Sequence, residues 1–441
     1  MTNKKVYIET YGCQMNVADS EVVASVLKDS GYQHTDKIDE AGLILINTCS
    51  IRENAEQRIW RRLRSLNYLK KKNRNLIIGL IGCMAERLKE QIIEKEKLVD
   101  MVIGPDAYRQ IANFIKEAEE GHKTVNILLS HEETYADISP VRLTPAGVSA
   151  FVSIMRGCNN MCAYCVVPYV RGAERSRDPG SIGGEVRDLI GKGYREVTLI
   201  GQNVNSYNHS VYGKEIRFPD LLRMVAMIDP RLRVRFSTSH PKDLSDELLY
   251  TMAEHENICR HIHLPAQSGS NRILQLMNRD YTREWYMERI KSVRKILPDC
   301  ALSTDMIAGF CTETEEDHQD SLSLMEWACF DFAYMFRYSE RPGTKAAGKY
   351  PDNVPEDIKS RRLDEIIALQ NRLSAISKQN DIGKLFEVLV EGFSKRSADF
   401  LSGRTSQNKV VVFPGEDRKK ADYVQVKIER CTSATLIGKI I

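Results

Sequence analysis

No apolar run in the 441-residue chain approaches membrane-spanning length; the longest, Leu76 to Ala85, is about half of what a spanning helix needs. No secretory leader is expected either, because the first residues run directly into the strand pattern Lys5-Val-Tyr-Ile-Glu-Thr10. Neither charge is in excess: 63 Lys and Arg face 60 Asp and Glu, so net charge neither demands nor excludes a nucleic acid, and local patches must decide. The 11 cysteines are odd in number, which is not the pattern of a secreted disulfide framework and argues for a reducing cytosol. The expectation is a cytoplasmic protein with no membrane partner. Its 42% hydrophobic share can fill the cores of about two to three domains.

What is present is organised around Arg156-Gly-Cys-Asn-Asn-Met-Cys-Ala-Tyr-Cys165, a CxxxCxxC directly after the apolar run Ala150 to Met155. Three thiolates at that spacing can hold three irons of a cubane and leave the fourth without a protein ligand. Most iron–sulfur sites that only carry electrons use four cysteines. A zinc site would want a fourth Cys or His close by, and the nearest His downstream is His209. A disulfide inside so short a loop is disfavoured, and three merely buried cysteines remain the bland alternative. An open cluster fits the spacing best.

Upstream, apolar strands at Val6–Thr10, Leu43–Asn47, Leu76–Ile81 and Val99–Ile103 alternate with helices, Val17 to Ser30 and Glu53 to Lys72 among them, with Gly31 placed to cap the first. This pattern predicts a doubly wound parallel sheet, whose functional edge lies at the strands' C-terminal ends. Cys13, Cys49 and Cys83 each follow such an end, so three cysteines far apart in sequence should converge. Gly12 and Gly82 give the backbone room beside two of them, and Ser50-Ile-Arg-Glu53 reads as a capping box after the third. Three ordinary core cysteines would be the plain reading. Their recurrence at equivalent strand ends favours a second three-cysteine cluster.

The expected division is 1–125 for the first α/β domain, 126–147 for a linker with Ser139-Pro140 and Thr144-Pro145, 148–378 for a barrel domain, and 379–441 for a terminal domain. In the barrel domain six βα units predict an open (βα)6 barrel with its site at the strand C-termini. The polar residues there form a candidate ligand ring: Gly201-Gln202-Asn203, Ser237-Thr238-Ser239, Gln267-Ser268, Thr304-Asp305 and Arg337. His240, His261 and His263 lie nearby and read as hydrogen-bonded structural groups. Gly183-Gly184-Glu185 lacks the rest of a phosphate-loop fingerprint. After a helix near Pro355 to Asn380, five short strands predict a small β-barrel. From Asp381 onward 11 Lys and Arg outnumber 8 Asp and Glu. Lys395, Arg396, Arg404, Lys409, Arg418, Lys419 and Lys420 near its turns suggest RNA phosphate contact.

Over essentially its whole length the chain resembles the methylthiotransferases of the radical S-adenosylmethionine (SAM) superfamily, with a TRAM-type barrel at the end. The carrying stretches are Thr10-Tyr-Gly-Cys-Gln-Met-Asn16, Asn47-Thr-Cys-Ser-Ile-Arg52 with Asn54-Ala-Glu-Gln57, Arg156 to Arg177, Ser239-His-Pro241, His263 to Gly269, and Gly403-Arg-Thr-Ser-Gln-Asn408. The resemblance implies that Cys158, Cys162 and Cys165 hold a SAM-cleaving [4Fe–4S] cluster, with Tyr164 near the adenine of SAM. It implies an auxiliary [4Fe–4S] cluster on Cys13, Cys49 and Cys83. The implied reaction puts a methylthio group, through a 5′-deoxyadenosyl radical, on carbon 2 of an N6-isopentenyladenosine beside a tRNA anticodon. Implied partners are that tRNA, a flavodoxin- or ferredoxin-type electron donor and an iron–sulfur carrier, with the enzyme a monomer. Relatives acting on threonylcarbamoyl-adenosine or a ribosomal protein typically carry Lys where this chain has Gln14, and they form the first alternative. An iron–sulfur RNA-binding sensor without catalysis is the second.

Overall fold

The computed structural model describes residues 4–50, 53–144, 147–415 and 417–441, without the side chains of 53–55. The expected capping box at 50–53, the motif stretch opening at Asn54 and the Thr144-Pro145 pair lie partly outside them. In the first third, six parallel strands form one sheet in the order β2-β1-β3-β4-β5-β6. They are β1 (Lys5–Thr10), β2 (Gln33–His34), β3 (Leu43–Thr48), β4 (Ile77–Gly82), β5 (Met101–Ile103) and β6 (Thr124–Asn126). Every residue of β3 and β4 is buried because strand alternation sends their side chains into two cores. Leu43, Leu45, Ile77 and Ile81 enter one; Ile44, Ile46, Ile78 and Leu80 enter the other. The helix Gln14–Asp29, with Cys13 as its N-cap, begins three residues before its expected start and ends where Gly31 at φ +85° lets Tyr32 N–H return to Leu27 O.

The stretch expected as a linker is strapped back on this sheet. β6 pairs with β5, buried Tyr135 donates its hydroxyl to Pro105 O at 2.9 Å, and Arg109 pairs with both Glu133 and Asp137.

The central third contains β7 (Ser149–Ser153), β8 (Met155–Arg156), β9 (Arg175–Ser176), β10 (Glu196–Ile200), β11 (Asn208–Val211), β12 (Lys214–Arg217), β13 (Arg233–Ser237), β14 (His261–His263), β15 (Ala301–Ala308) and β16 (Phe332–Arg337). Six of them are the parallel staves of an open barrel: β7-β10-β13 and β14-β15-β16, linked by a Val234–Ile258 bridge. The gap lies between β7 and β16. Gly183 and Gly184 sit inside the helix Pro179–Gly191, as a non-phosphate reading required.

The last third is a closed five-stranded barrel of β17 (Leu385–Ser394), β18 (Ser397–Thr405), β19 (Val410–Pro414), β20 (Tyr423–Cys431) and β21 (Leu436–Ile440). One rim docks under the N-terminal ends of the staves. Arg233 donates to Arg404 O at 2.6 Å and Glu387 O at 2.8 Å, Arg235 donates to Thr405 O at 2.7 Å, and Tyr423 hydroxyl donates to Arg231 O at 2.8 Å. Lys409 is spent on the same joint, 2.5 Å from Asp381 and 3.1 Å from Asp331, and Arg404 pairs with Glu391 at 3.1 Å.

The sheet domain meets the opposite, C-terminal mouth of the open barrel through buried ion pairs. Arg142 bridges Glu21 and Glu185 at 2.5 Å each. Asp19 takes Arg156 at 2.7 Å and Arg171 at 2.8 Å. Burial alone would raise the Asp19 carboxyl, but the two arginines hold it below the ordinary carboxylate value. Its contribution to stability is therefore intact above that ordinary value and lost only as pH falls through the lowered one. Asp19→Ala leaves two guanidinium groups buried without it and should cost about 3–5 kcal/mol, read as a lower midpoint in denaturant unfolding.

Candidate active site

The C-terminal ends of β1, β3 and β4 are neighbours in the sheet, and Cys13, Cys49 and Cys83 stand three, one and one residues beyond them. A buried pair of amides locks this edge. Asn16 Nδ2 donates to Asn47 Oδ1 at 2.8 Å and Thr48 O at 2.9 Å, and Asn47 Nδ2 donates to Asn16 O at 2.8 Å. Asn16 Oδ1 in turn accepts from the Cys13 thiol at 3.1 Å. The glycines leave space that no side chain could share. A Cβ on Gly12 would lie 2.5 Å from Cys49 Cβ, and one on Gly82 would lie 2.4 Å from Asn47 Oδ1. Both glycines also hold positive φ, +124° and +92°. The first two thiol-bearing loops are thus packed edge to edge, as a compact inorganic group requires.

The second cysteine set lies on the loop after β8. Gly157, at φ +77°, lets that loop pass Ala173 O, where a Cβ would sit at 1.9 Å. Ala163 N–H donates to Met277 O at 2.8 Å and Asn278 Nδ2 to Met161 O at 3.0 Å, clamping the loop from outside. Cys165 Sγ accepts the Val167 amide at 3.4 Å, at the start of the short helix Val167–Arg171. Burial pushes the thiols of Cys158 and Cys165 up, to about 11 and about 12, and raises Cys83 against the pull of Arg171. As thiols they are neutral at physiological pH, and iron has to displace their protons.

Two buried arginines reach these sulfurs. From the end of Val167–Arg171, Arg171 Nε donates to Cys83 Sγ at 3.2 Å, crossing from the radical-motif loop to the other cysteine set. Arg279 Nη1 donates to Cys162 Sγ at 3.3 Å and to Tyr164 hydroxyl at 3.4 Å. Sequence reasoning missed both. Arg171 had a signal in its place just after Cys165, whereas Arg279, more than a hundred residues downstream, had none.

The expected ligand ring divides. Buried polar atoms without a partner among the described residues include Gln202 Oε1, Asn205 Oδ1, Ser239 Oγ and His240 Nε2, all just past the ends of β10 and β13. Such atoms are costly unless a ligand completes them. His240 Nδ1 accepts the Lys242 amide, so Nε2 carries the proton; burial, with Arg279 next, drops this ring to about 2 and keeps it neutral. Ser237 Oγ lies 3.2 Å from Thr238 Oγ1, and Gln267 joins β15 through backbone bonds to Asp305 O and Ile307 N–H. Both remain at the mouth, as does Tyr164.

Three expected members leave the ring. The Thr304 hydroxyl is buried and satisfied internally, donating to Leu264 O and accepting from Ala266 N–H at 2.9 Å each. Asn203 is satisfied internally: its amide donates to Asp243 at 2.7 Å and accepts from His240 N–H at 3.1 Å. Arg337 lies on the outer face of β16 and meets Ser360 at 3.2 Å and Glu356 at 3.4 Å, because strand parity sends Phe332 and Tyr334 inward and Arg337 outward. His261 and His263 share Ser303 Oγ at 2.9 Å each, a hydrogen-bonded arrangement as expected.

Inside the barrel at its open edge, Phe332 and Tyr334 are 48% and 47% exposed, packed edge-on at 4.8 Å, with Tyr334 also against His263. They form an apolar wall facing the gap.

Comparison with known proteins agrees with each third of the chain. Residues 5–104 match the group described as Uncharacterized protein family UPF0004, residues 152–325 the Radical SAM superfamily and residues 379–441 the TRAM domain. The chain is 59% identical to a tRNA-2-methylthio-N(6)-dimethylallyladenosine synthase of Phocaeicola vulgatus, covering 99% of this chain and 96% of that one. A protein of the same name from Amoebophilus asiaticus is 57% identical over 99% and 92%. Among solved structures, the radical SAM methyltransferase TsrM from Kitasatospora setae, with cobalamin and a [4Fe-4S] cluster bound, superposes with TM-score 0.60 at 14% identity over 79% of this chain and 77% of that one. At that identity the likeness shows the fold alone.

Iron analysis tests the two cysteine sets separately. After anaerobic reconstitution, Cys158→Ala with Cys162→Ala should lower iron from about eight to about four per chain, and Cys13→Ala with Cys49→Ala should do the same. Gly82→Ala should lose the same half as the second pair, since its Cβ would displace Asn47.

Proposed function

We propose that this chain, which belongs to the radical SAM methylthiotransferase family, places a methylthio group on carbon 2 of an N6-isopentenyl (dimethylallyl) adenosine beside the anticodon of a tRNA. The observation that carries the reading is the convergence of two three-cysteine sets on one mouth, with Arg171 reaching from one loop to a sulfur of the other. When bound, two [4Fe–4S] clusters and SAM supply the radical that activates an unreactive aromatic C–H and the site from which sulfur is delivered.

The chain's own residues bind, orient and exclude water. Cys158, Cys162 and Cys165 are the ligands of the SAM-cleaving cluster, and Cys13, Cys49 and Cys83 those of the auxiliary one. Tyr164, Gln202, Ser237, Ser239 and Gln267, joined by Asn205 and His240, line the SAM site. Neutral His240 donates there across the physiological pH range. Holding both sites on one mouth shortens the path between the activated carbon and the sulfur, the main thing a protein can add to such chemistry. The target base has to leave the anticodon-loop stack, and the Phe332–Tyr334 wall offers its isopentenyl tail an apolar face.

The terminal barrel holds the RNA. Lys395 and Arg396 at the β17–β18 turn and Arg418 and Lys419 in the β19–β20 turn are exposed beside Phe393 and Phe400. The two turns adjoin through the Phe400–Pro414 register. Lys409, expected with them, belongs to the joint instead, and the Arg404 side chain is held within the barrel by Glu391 and Asn408. In our division the functional units are 1–125, 126–147, 148–378 and 379–441. We place the enzyme in the cytoplasm as a monomer served by a flavodoxin- or ferredoxin-type donor and an iron–sulfur carrier. Among the described residues no helix is long and apolar enough to cross a membrane.

With reconstituted protein, SAM and a strong reductant, tRNA carrying isopentenyladenosine should gain a methylthio group, read by mass spectrometry of the digested nucleosides, while tRNA carrying threonylcarbamoyl-adenosine stays unchanged. Methylthiolation of the second tRNA alone would reverse the substrate assignment. Replacing Tyr334 by Ala should lower turnover efficiency on the isopentenylated tRNA about tenfold or more by removing an aromatic contact. Arg418→Glu with Lys419→Glu should weaken tRNA binding and flatten its salt dependence, measured by titration at several salt concentrations.

A further inference from the structure

Arg279 is an unusual cation. Its side chain is enclosed, and among the described residues no carboxylate pairs with it; its partners are Cys162 Sγ, the hydroxyls of Tyr164 and Tyr281, and Pro265 O. A buried guanidinium with only neutral partners is expensive unless an anion arrives.

The other cysteine set shows the same excess by a different route. Around Cys83 are Arg156, Arg171 and Arg175 against only Asp19 and Asp106, and all five side chains are nearly or completely buried. Glu86, next to Asp106, is lifted by burial to about 8 and is neutral. Three cations against two anions leave one positive charge, and Arg171 Nη1 has no partner among the described residues. A [4Fe–4S] core of charge +2 on three thiolates has net charge −1. Beside Cys83 the tally leaves one surplus cation, and beside Cys162 Arg279 has no carboxylate partner among the described residues; each site has an N–H already 3.2 or 3.3 Å from a ligand sulfur, ready for one cluster's surplus anion.

We propose that Arg171 and Arg279 are dedicated counter-cations of the two clusters, each donating an N–H to one ligand thiolate and raising the reduction potential of that cluster alone. Reduction adds one electron, so a cluster goes from −1 to −2, and the adjacent cation favours the more negative state. Both are positioning residues that act through the sulfur they touch. The inference rests on the ligand sets proposed above.

The test is a redox titration of the anaerobically reconstituted full chain, following each cluster by electron paramagnetic resonance. Arg279→Gln should make reduction of the Cys158/Cys162/Cys165 cluster about tenfold less favourable, which for a one-electron couple is 59 mV more negative, and leave the auxiliary cluster unmoved. Arg171→Gln should do the reverse, and the Lys variants should recover part of each shift. Unmoved potentials at full iron content, or equal shifts of both clusters from either variant, would overturn the proposal. If a Gln variant does not load, the unsubstituted protein with 15N-labelled arginine side chains decides: pulsed resonance should show 15N coupling to each reduced cluster, and its absence would end the idea. A failure of the unsubstituted chain to assemble clusters would instead remove the ligand sets, and this inference with them.

Discussion

Asp19 is the pivot of the molecule. It lies on the helix that has Cys13 as its N-cap, and it is held by Arg156, two residues before Cys158, and by Arg171, six residues after Cys165. One carboxylate thus ties the loop carrying one cysteine set to the helix carrying part of the other. Because all three groups are nearly inaccessible to water, removing any one exposes the others to the full cost of an unpaired buried charge. An exposed ion pair, worth a fraction of that, could not fix two loops so firmly. The surrounding pairs, Arg142 with Glu21 and Glu185 and Arg175 with Asp106, extend the same joint. The relative position of the two cysteine sets is therefore set mainly by electrostatics across a domain boundary, with little help from apolar packing. Met15 and Ala18 against Ile200 form a small apolar contact there.

Much of this was legible in the sequence, for identifiable reasons. Cys13, Cys49 and Cys83 could be brought together on paper because continuous apolar strands imply a parallel sheet, and a parallel sheet has one functional edge. The open barrel followed from six strand-and-helix repeats, and the terminal barrel from short strands in quick succession. What failed did so where a single residue of register matters. Arg337 is one position away from facing the lumen, and no sequence pattern fixes the last residue of a strand to that accuracy. Asn203 looked like a ligand because its amide is polar and well placed; only coordinates reveal that Asp243 and His240 already occupy it. Lys409 looked like an RNA contact because charge is visible in sequence and its partner is not. Arg279 was out of reach altogether, since nothing around it in sequence points to a sulfur.

The structure also separates two jobs that polar residues do near the mouth. Asn16 and Asn47 spend their amides on each other, on the backbone, on the Ser20 hydroxyl and on the Cys13 thiol, and they give the edge its shape. Gln202, Asn205, Ser239 and His240 are buried with atoms left unused. The first kind costs nothing further once folded. The second stores an unmet demand that only a polar ligand can satisfy, and it distinguishes a binding wall from a scaffold in a region where both are equally buried and equally polar.

The terminal barrel is docked beneath the N-terminal ends of the staves, while both cysteine sets stand over their C-terminal ends. The staves run from three residues in β14 to eight in β15, so about 10–26 Å of barrel separates the joint from the reaction mouth. Arg233 and Arg235 are buried in the joint between them, with Lys409 half-buried beside them. Such an arrangement works as a calliper. With the RNA gripped as we propose, a strand held at one jaw offers the other jaw the nucleotide that lies one fixed span away, so the address of the modified base is measured out in length.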